Sequence, residues 1–321
     1  LESINLPNSI TIIASSTFKN CSRLDVVNIP QGVSTIEEDA FSGCSGMTHI
    51  TIPESVLEMT CPFRGCTGEA IINCKIQGPP LPDPGGIHSE FPGYKHYFTD
   101  AAFDKVILGN TITEVGLESF MDSKIKSIVI PGSVSLIKGA AFYNCTELRS
   151  VEIRGMLRSI GAEAFYNCCA LTDINLPSGL LSIGGYAFYQ CRMLTNFSIP
   201  ESVTYIGEYA FYRCKHLGEI IIPSGVSKIL SGTFKASNIS IEIPNTITFI
   251  GAQAFGSCEG YISLPNSAQH IRFESITVFD GCRAEVTIDY DISGANYPDG
   301  ITNPYTYNKP DNAASAFSGN R

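Results

Sequence analysis

A repeating step of 23 residues constrains this chain more than any other feature. Phe142, Phe165, Phe188, Phe211 and Phe234 fall 23 apart, and Cys145, Cys168, Cys191 and Cys214 keep the same step. A fixed period of about 20 to 50 residues marks a solenoid, in which each unit has too little apolar surface to bury alone and must stack on the next. At 321 residues a globular chain would divide into about two domains. An array grows along one axis, so one elongated domain is expected instead.

The stretch Leu194 to Leu217, LTNFSIPESVTYIGEYAFYRCKHL, states the unit completely. Leu194, Phe197 and Ile199 have the spacing of a short strand with one face turned inward, and Pro200 ends it because proline cannot donate to a continuing ladder. Val203 and Ile206 supply a second apolar segment, after which Gly207 permits a turn or a close backbone approach. Ala210, Phe211 and Cys214, at i, i+1 and i+4, predict one helical turn pressing a small residue, a ring and a thiol into the interior. Leu217 starts the next rung.

The same words recur as Ile29-Pro30 with Ala40-Phe41 and Cys44, as Leu176-Pro177 with Ala187-Phe188 and Cys191, and as Ile222-Pro223 with Phe234. This pattern resembles the BspA-like leucine-rich repeats of bacterial and some protist surfaces, whose unit reads roughly L-x-x-I-x-I-P-x-S-V-x-x-I-G-x-x-A-F-x-x-C. The resemblance covers most of the chain. It implies a repeat solenoid, a right-handed parallel-stranded leucine-rich array, mainly β with short helical turns. About a dozen coils at about 4.8 Å per rung would be roughly 55 to 60 Å long. The commoner leucine-rich unit places Asn or Cys soon after the strand. Here that place holds Ser178-Gly179 or Ser224-Gly225, so neither an asparagine ladder there nor the helical outer face of a ribonuclease-inhibitor-like horseshoe is expected. By resemblance the role is that of a secreted or cell-surface adhesion and binding protein, extracellular, contacting a protein or polysaccharide partner such as host extracellular matrix.

In order, N-terminal repeats occupy residues 1–76. Residues 77–104 are expected to form a loop inserted within the array, opened by the breaker cluster Gly78-Pro79-Pro80-Leu81-Pro82-Asp83-Pro84-Gly85-Gly86. This insert also holds Phe91, Tyr94, Tyr97, Phe98, His88 and His96; packing back on the solenoid is preferred over a ligand site. Ala102-Phe103 is a stray signature of a coil. Central and C-terminal repeats run over 105–284, with one coil shortened to 21 residues between Phe234 and Phe255 and its cysteine replaced by Ser237. Residues 285–321 read as a C-terminal cap and tail, since an open solenoid end exposes core. The chain opens in mid-rung at Leu1 to Pro7 with no leader, which leaves compartment to the resemblance.

The formal net charge of −10 argues against a nucleic-acid footprint and against an anionic membrane surface. No run of 18 or more apolar residues is present, so no membrane insertion is expected. Most of the twelve cysteines hold one place in successive coils, which favours reduced, buried thiols behaving as small hydrophobes. Cys61, Cys74 and Cys169 fall outside that column, leaving a bridge from Cys61 to Cys66 or Cys74 open. Zinc is disfavoured because C-x4-C-x7-C lacks a paired C-x2-C spacing.

No nucleophile elbow, phosphate loop, H-E-x-x-H or calcium-loop motif appears; the chain is not expected to be an enzyme or to hold a cofactor or metal. The acids Glu37, Glu38 and Asp39 and the pair Asp289 and Asp291 read as surface charge, and His49, His216 and His270 are scattered over separate coils. An enzymatic site in the insert, using His88 and His96, is the rival reading, and a stalk presenting a neighbouring domain is another. Asn20, Asn144, Asn196 and Asn238 open glycosylation acceptor triplets.

Two surface columns are the candidate binding features. One, two places before each proline or its substitute, reads Asn5, Asn28, Thr51, Val129, Glu152, Asn175, Ser198, Ile221, Glu242 and Ser263. The other is Tyr143, Tyr166, Tyr189 and Tyr212, one per coil directly after the inward phenylalanine. Four tyrosines stacked at the surface form either an aromatic strip for protein or glycan recognition, since tyrosine couples apolar area to a polar tip, or a ladder that stabilises the central coils.

Overall fold

The computed structural model describes residues 1–76, 97–195, 197–265 and 270–288. They form a parallel-stranded β-solenoid, and each coil contributes three runs to it. The first is the L-x-x-I-x-I strand. Seven such strands, from Val26–Asn28 to Asp173–Ile174, hydrogen-bond side by side, and four more, from Gly218–Ile221 to Glu285–Ile288, continue the face. Register follows the repeat: Val151 pairs with Ile128 on one side and Ile174 on the other. In the coil between the two sheets, Phe197 stands where its neighbours have an aliphatic residue, and its ring packs edge-on to Phe188 and Phe211, 5.2 Å from each.

The second apolar segment also forms a ladder, of two-residue parallel strands such as Ser159–Ile160, Ser182–Ile183 and Tyr205–Ile206. The glycine after it serves close approach and not a left-handed turn. A Cβ at Gly207 would lie 2.2 Å from the Gly185 backbone nitrogen, so successive coils touch there only because both lack side chains.

The third run, A-F-x-x-C, departs from the expected short helical turn. Among the described residues there is no α-helix. Two residues four apart take left-handed backbone in nearly every coil, as Ala140 (φ 50°) and Asn144 (φ 58°), or Asp39 (φ 59°) and Gly43 (φ 77°), and a right-handed helix cannot pass through them. Amides instead alternate. Tyr143 and Cys145 donate back to Ala140 and Phe142 within the turn, while Ala140, Phe142 and Asn144 donate forward to Ala162, Ala164 and Tyr166 of the next coil. The turn face is thus a third inter-coil ladder, and asparagine or glycine at its second left-handed place is the residue type that tolerates that conformation best.

This geometry puts one ring per coil on the axis. Twelve phenylalanines, from Phe18 to Phe279, stack in one unbroken file with centroids 4.8–6.0 Å apart and planes within 20°. Phe98 belongs to it, between Phe63 and Phe120, and Phe98, Ala101 and Phe103 are fully buried. Residues 97–104 of the expected insert therefore lie inside the array, and Lys105–Leu108 pairs directly with Glu69–Ile72. The rest of the insert, with His88 and His96, and the tail beyond residue 288 fall outside the described residues.

Beside the rings runs the cysteine column. Cys44, Cys66, Cys145, Cys168, Cys191, Cys214 and Cys258 each donate a thiol hydrogen to the carbonyl of a phenylalanine one coil back, at 2.9–3.2 Å. Where serine replaces cysteine, the Ser237 hydroxyl makes the same bond to Phe211 at 2.6 Å. All twelve cysteines are free thiols, Cys61 directing its sulfur to the Thr99 carbonyl. Burial pushes Cys74 up to about 12 and Cys282 to about 11.

Candidate functional site

The tyrosine column sits on the turn face, one residue beyond each buried ring, and its four side chains are half-buried. Tyr143 lies 4.6 Å from Tyr166, Tyr166 4.4 Å from Tyr189, and Tyr189 4.5 Å from Tyr212, with planes within 14°. The structure thus brings all four together. The far side of Tyr212 carries the Arg213 guanidinium, 5.2 Å from the ring centroid. Ring faces along the column are consequently occupied by one another, and the column offers edges and hydroxyls.

Two further tyrosines, which the sequence reading did not single out, widen the patch. Tyr186 and Tyr209 occupy the first left-handed place of their turns (φ 56° and 53°) and stack on each other at 5.1 Å. Tyr186 leans on Tyr189 at 5.7 Å, and Tyr209 meets Tyr212 edge-on at 6.1 Å. Gly232 makes room for this: a Cβ there would come 2.3 Å from the Tyr209 ring. The signal was available, since Tyr186 and Tyr209 are also 23 apart and each stands three before a column tyrosine.

Burial raises the phenols of Tyr143, Tyr166 and Tyr186 above the ordinary tyrosine range. Tyr189 is pushed up to about 12, by burial first and then by the neighbouring Tyr166 and Tyr212. Burial also raises Glu163, which occupies the place of Tyr186 one coil earlier. The hydroxyls therefore keep their protons at neutral pH and can donate as well as accept. Alongside, Asn167 Nδ2 donates to Asn144 Oδ1 and Asn144 Nδ2 to Asp122 Oδ1, both at 2.7 Å. This short amide ladder lies on the turn face, away from the place after the strand where the commoner leucine-rich unit carries its asparagine.

The outward strand column stays open along most of its length, with Val129 as the exception at 4% exposure. Its C-terminal part, with Ile221, Glu242 and Ser263, joins Tyr261 and Asn245 around a shallow hollow of about 650 Å³. Of the acceptor triplets, Asn20 and Asn238 are exposed, Asn144 is engaged in the amide ladder, and Asn196 falls outside the described residues. Glu37 accepts from the Ser15 amide and Asp39 pairs with Lys19. Among the described residues no three or more His, Cys, Asp or Glu side chains gather to hold a metal, and no helix is long and apolar enough to cross a membrane.

The profile of the BspA type leucine rich repeat region matches in six copies, over residues 1–76, 94–195 and 237–291. The chain belongs to the BspA-type leucine-rich repeat family. No curated relative matches it. A leucine-rich repeat protein from Bacteroides ovatus is similar in structure at 19% identity and a TM-score of 0.49, covering 92% of this chain and 91% of that one. A leucine-rich repeat protein of T. pallidum is 27% identical over 51% of this chain and 79% of its own, with a TM-score of 0.44. A leucine rich cell surface protein from Faecalibacterium prausnitzii is 21% identical over 91% and 79%, with a TM-score of 0.46. The matched stretches include Tyr143, Tyr166, Tyr186 and Tyr189, while Tyr209 and Tyr212 fall between two of them.

Proposed function

We propose that this chain is a cell-surface or secreted binding protein that recognises a protein or polysaccharide partner through its turn face, without catalysis. One observation carries the reading: six tyrosines, four of them in a single stacked column, gather on one exposed face. Solenoids recognise partners over extended surfaces, and tyrosine supplies rigid contact area with a hydrogen-bonding tip. The location follows from the family resemblance. Because the ring faces cover one another, recognition by this patch runs through phenol hydroxyls and ring edges, with Tyr143, Tyr166, Tyr189 and Tyr212 as the contact residues.

The test is a binding screen of the chain against extracellular-matrix proteins and glycans, beside a Tyr143→Phe/Tyr166→Phe/Tyr189→Phe variant. Phenylalanine keeps the stack and removes the hydroxyls, so loss of a matrix ligand at unchanged stability supports the reading. Equal binding by both forms removes the hydroxyls of Tyr143, Tyr166 and Tyr189 from recognition. A second reading, a stalk presenting a neighbouring domain, draws on the unbroken file of twelve rings, and failure of both forms to bind any probe favours it.

A further inference from the structure

After Tyr212 the turn face changes character. The tyrosine column continues as Lys235, Gly256 and Asp280, and the column beside it, Asn144, Asn167, Gln190 and Arg213, continues as Ala236, Ser257 and Gly281. These last three keep the left-handed backbone (φ 59°, 54° and 65°) but have almost no side chain. What remains is a groove of about 590 Å³ floored by small residues. Arg192, Arg213, Lys215, Lys235 and Arg283 stand around it against a single acid, Glu259.

That concentration opposes the balance of the whole chain, which has 31 acidic residues to 21 basic ones. Several cations elsewhere are neutralised, Lys19, Lys105, Lys124, Lys126 and Lys138 each bridging a carboxylate, while others such as Arg149 and Arg158 stand singly; what sets the groove apart is five cations in one hollow. Among the described residues none of the five groove cations makes an ion pair. Arg192 and Lys235 donate to the neutral amides of Gln190 and Gln253, and Arg213 lies on the Tyr212 ring. Unneutralised positive charge in a concave site focuses field and draws anions to it.

We propose that this groove binds an anionic polysaccharide carrying sulfate or carboxylate groups at intervals along its chain. The spacing selects a polymer. Arg192 and Arg283 are separated by four inter-coil steps on one file, about 19 Å at about 4.8 Å per rung, so a lone phosphate or sulfate reaches only part of the set. The lining selects a sugar. It contains no Leu, Ile, Val, Met or Phe to anchor an acidic peptide through buried apolar side chains. A nucleic-acid strand needs free aromatic faces for its bases, and those of Tyr212 are taken by Tyr189 and Arg213. The Ser257 hydroxyl and the edge of Tyr212 instead suit a hydroxyl-rich chain. The inference rests on reading the chain as a binding protein, but not on the tyrosine column as its site.

The experiment measures binding of heparin oligosaccharide, chemically desulfated heparin and poly-glutamate to the full chain. Two variants of exposed or half-exposed residues accompany it, Arg192→Ala/Lys215→Ala/Arg283→Ala and Arg213→Ala/Lys235→Ala, together with the triple Tyr→Phe variant. Heparin is expected to bind at about 0.01 M salt and weaken sharply at about 0.15 M, where the screening length falls from about 30 to about 8 Å. At about 1.4- to fivefold per exposed charge contact, the triple cation variant weakens binding about three- to hundredfold, and the double variant less. Desulfated heparin binds more weakly, and the Tyr→Phe variant binds heparin as the parent does. Absence of heparin binding at low salt, or binding untouched by both cation variants, overturns the proposal. Poly-glutamate bound as tightly as heparin gives the groove to acidic proteins instead. Loss of heparin binding in the Tyr→Phe variant alone moves the site to the tyrosine column.

Discussion

Replacing Tyr166 tests whether the half-buried tyrosines of the turn face hold the solenoid together as well as decorate it. Its ring sits between two others, 4.6 Å from Tyr143 and 4.4 Å from Tyr189, nearly parallel to both. Each such aromatic pair contributes about 0.5–1.5 kcal/mol beyond area burial, so Tyr166→Ala costs about 1–3 kcal/mol from ring contacts. Tyr166→Phe keeps both contacts and costs less than about 0.5 kcal/mol, the usual range for a surface change. Urea denaturation, with the dependence on denaturant unchanged between variants, reads both values. A double-mutant cycle sharpens the test. Tyr143→Ala with Tyr166→Ala removes one shared contact and is non-additive, whereas Tyr143→Ala with Tyr212→Ala, three steps apart on the column, adds to within about 0.3–0.5 kcal/mol. Additivity for the adjacent pair, or a Phe variant as costly as the Ala variant, would refute the stacking argument.

The raised phenols make the fold sensitive to alkali. Tyr189 holds its proton to about 12 in the fold against about 10 when unfolded, so its contribution is whole below about pH 10 and is lost as pH rises toward 12. Stability is expected to fall through that window and to fall less in the triple Tyr→Phe variant; phenolate absorbance rising at the free value with the fold intact would contradict this. Ser237 is fully buried and holds both the Phe211 carbonyl and the Cys214 amide, so Ser237→Ala costs about 1–3 kcal/mol in the same denaturation assay, and Ser237→Cys, which restores the thiol of the other coils, costs less. Thiol labelling of the native chain should reach Cys21 and Cys169, the two half-buried cysteines, and spare the ten buried ones until unfolding; rapid reaction of more than two would show the column to be open.

How much of this was legible in the sequence depends on whether a feature lives within one coil or between coils. The inward places of the unit, Leu194, Val203, Ile206, Ala210, Phe211 and Cys214, are all buried, because the repeat is itself a record of which side chains meet at the axis. The turn departs from a helix for a local reason: A-F-x-x-C has helical spacing, but Asn144, Asn167 and Gly43 stand at left-handed places that spacing alone does not reveal. Tyr186 and Tyr209 carry the same 23-residue signal as the column beside them, but they precede the phenylalanine and recur in only two coils, outside the A-F-Y words that mark the column. The cationic groove is different in kind. Its walls come from Arg192 and Arg283, 91 residues apart in the chain, and they share a file only after one coil of 21 residues and one of 24 are taken up between Phe234 and Phe279. Across those length changes the cysteine column holds its register through Ser237 and Cys258. A fixed 23-residue ruler laid on the sequence puts Arg283 one place out of line with Lys215, so the convergence of charge becomes visible only when the hydrogen-bonded register of the turn face replaces the ruler.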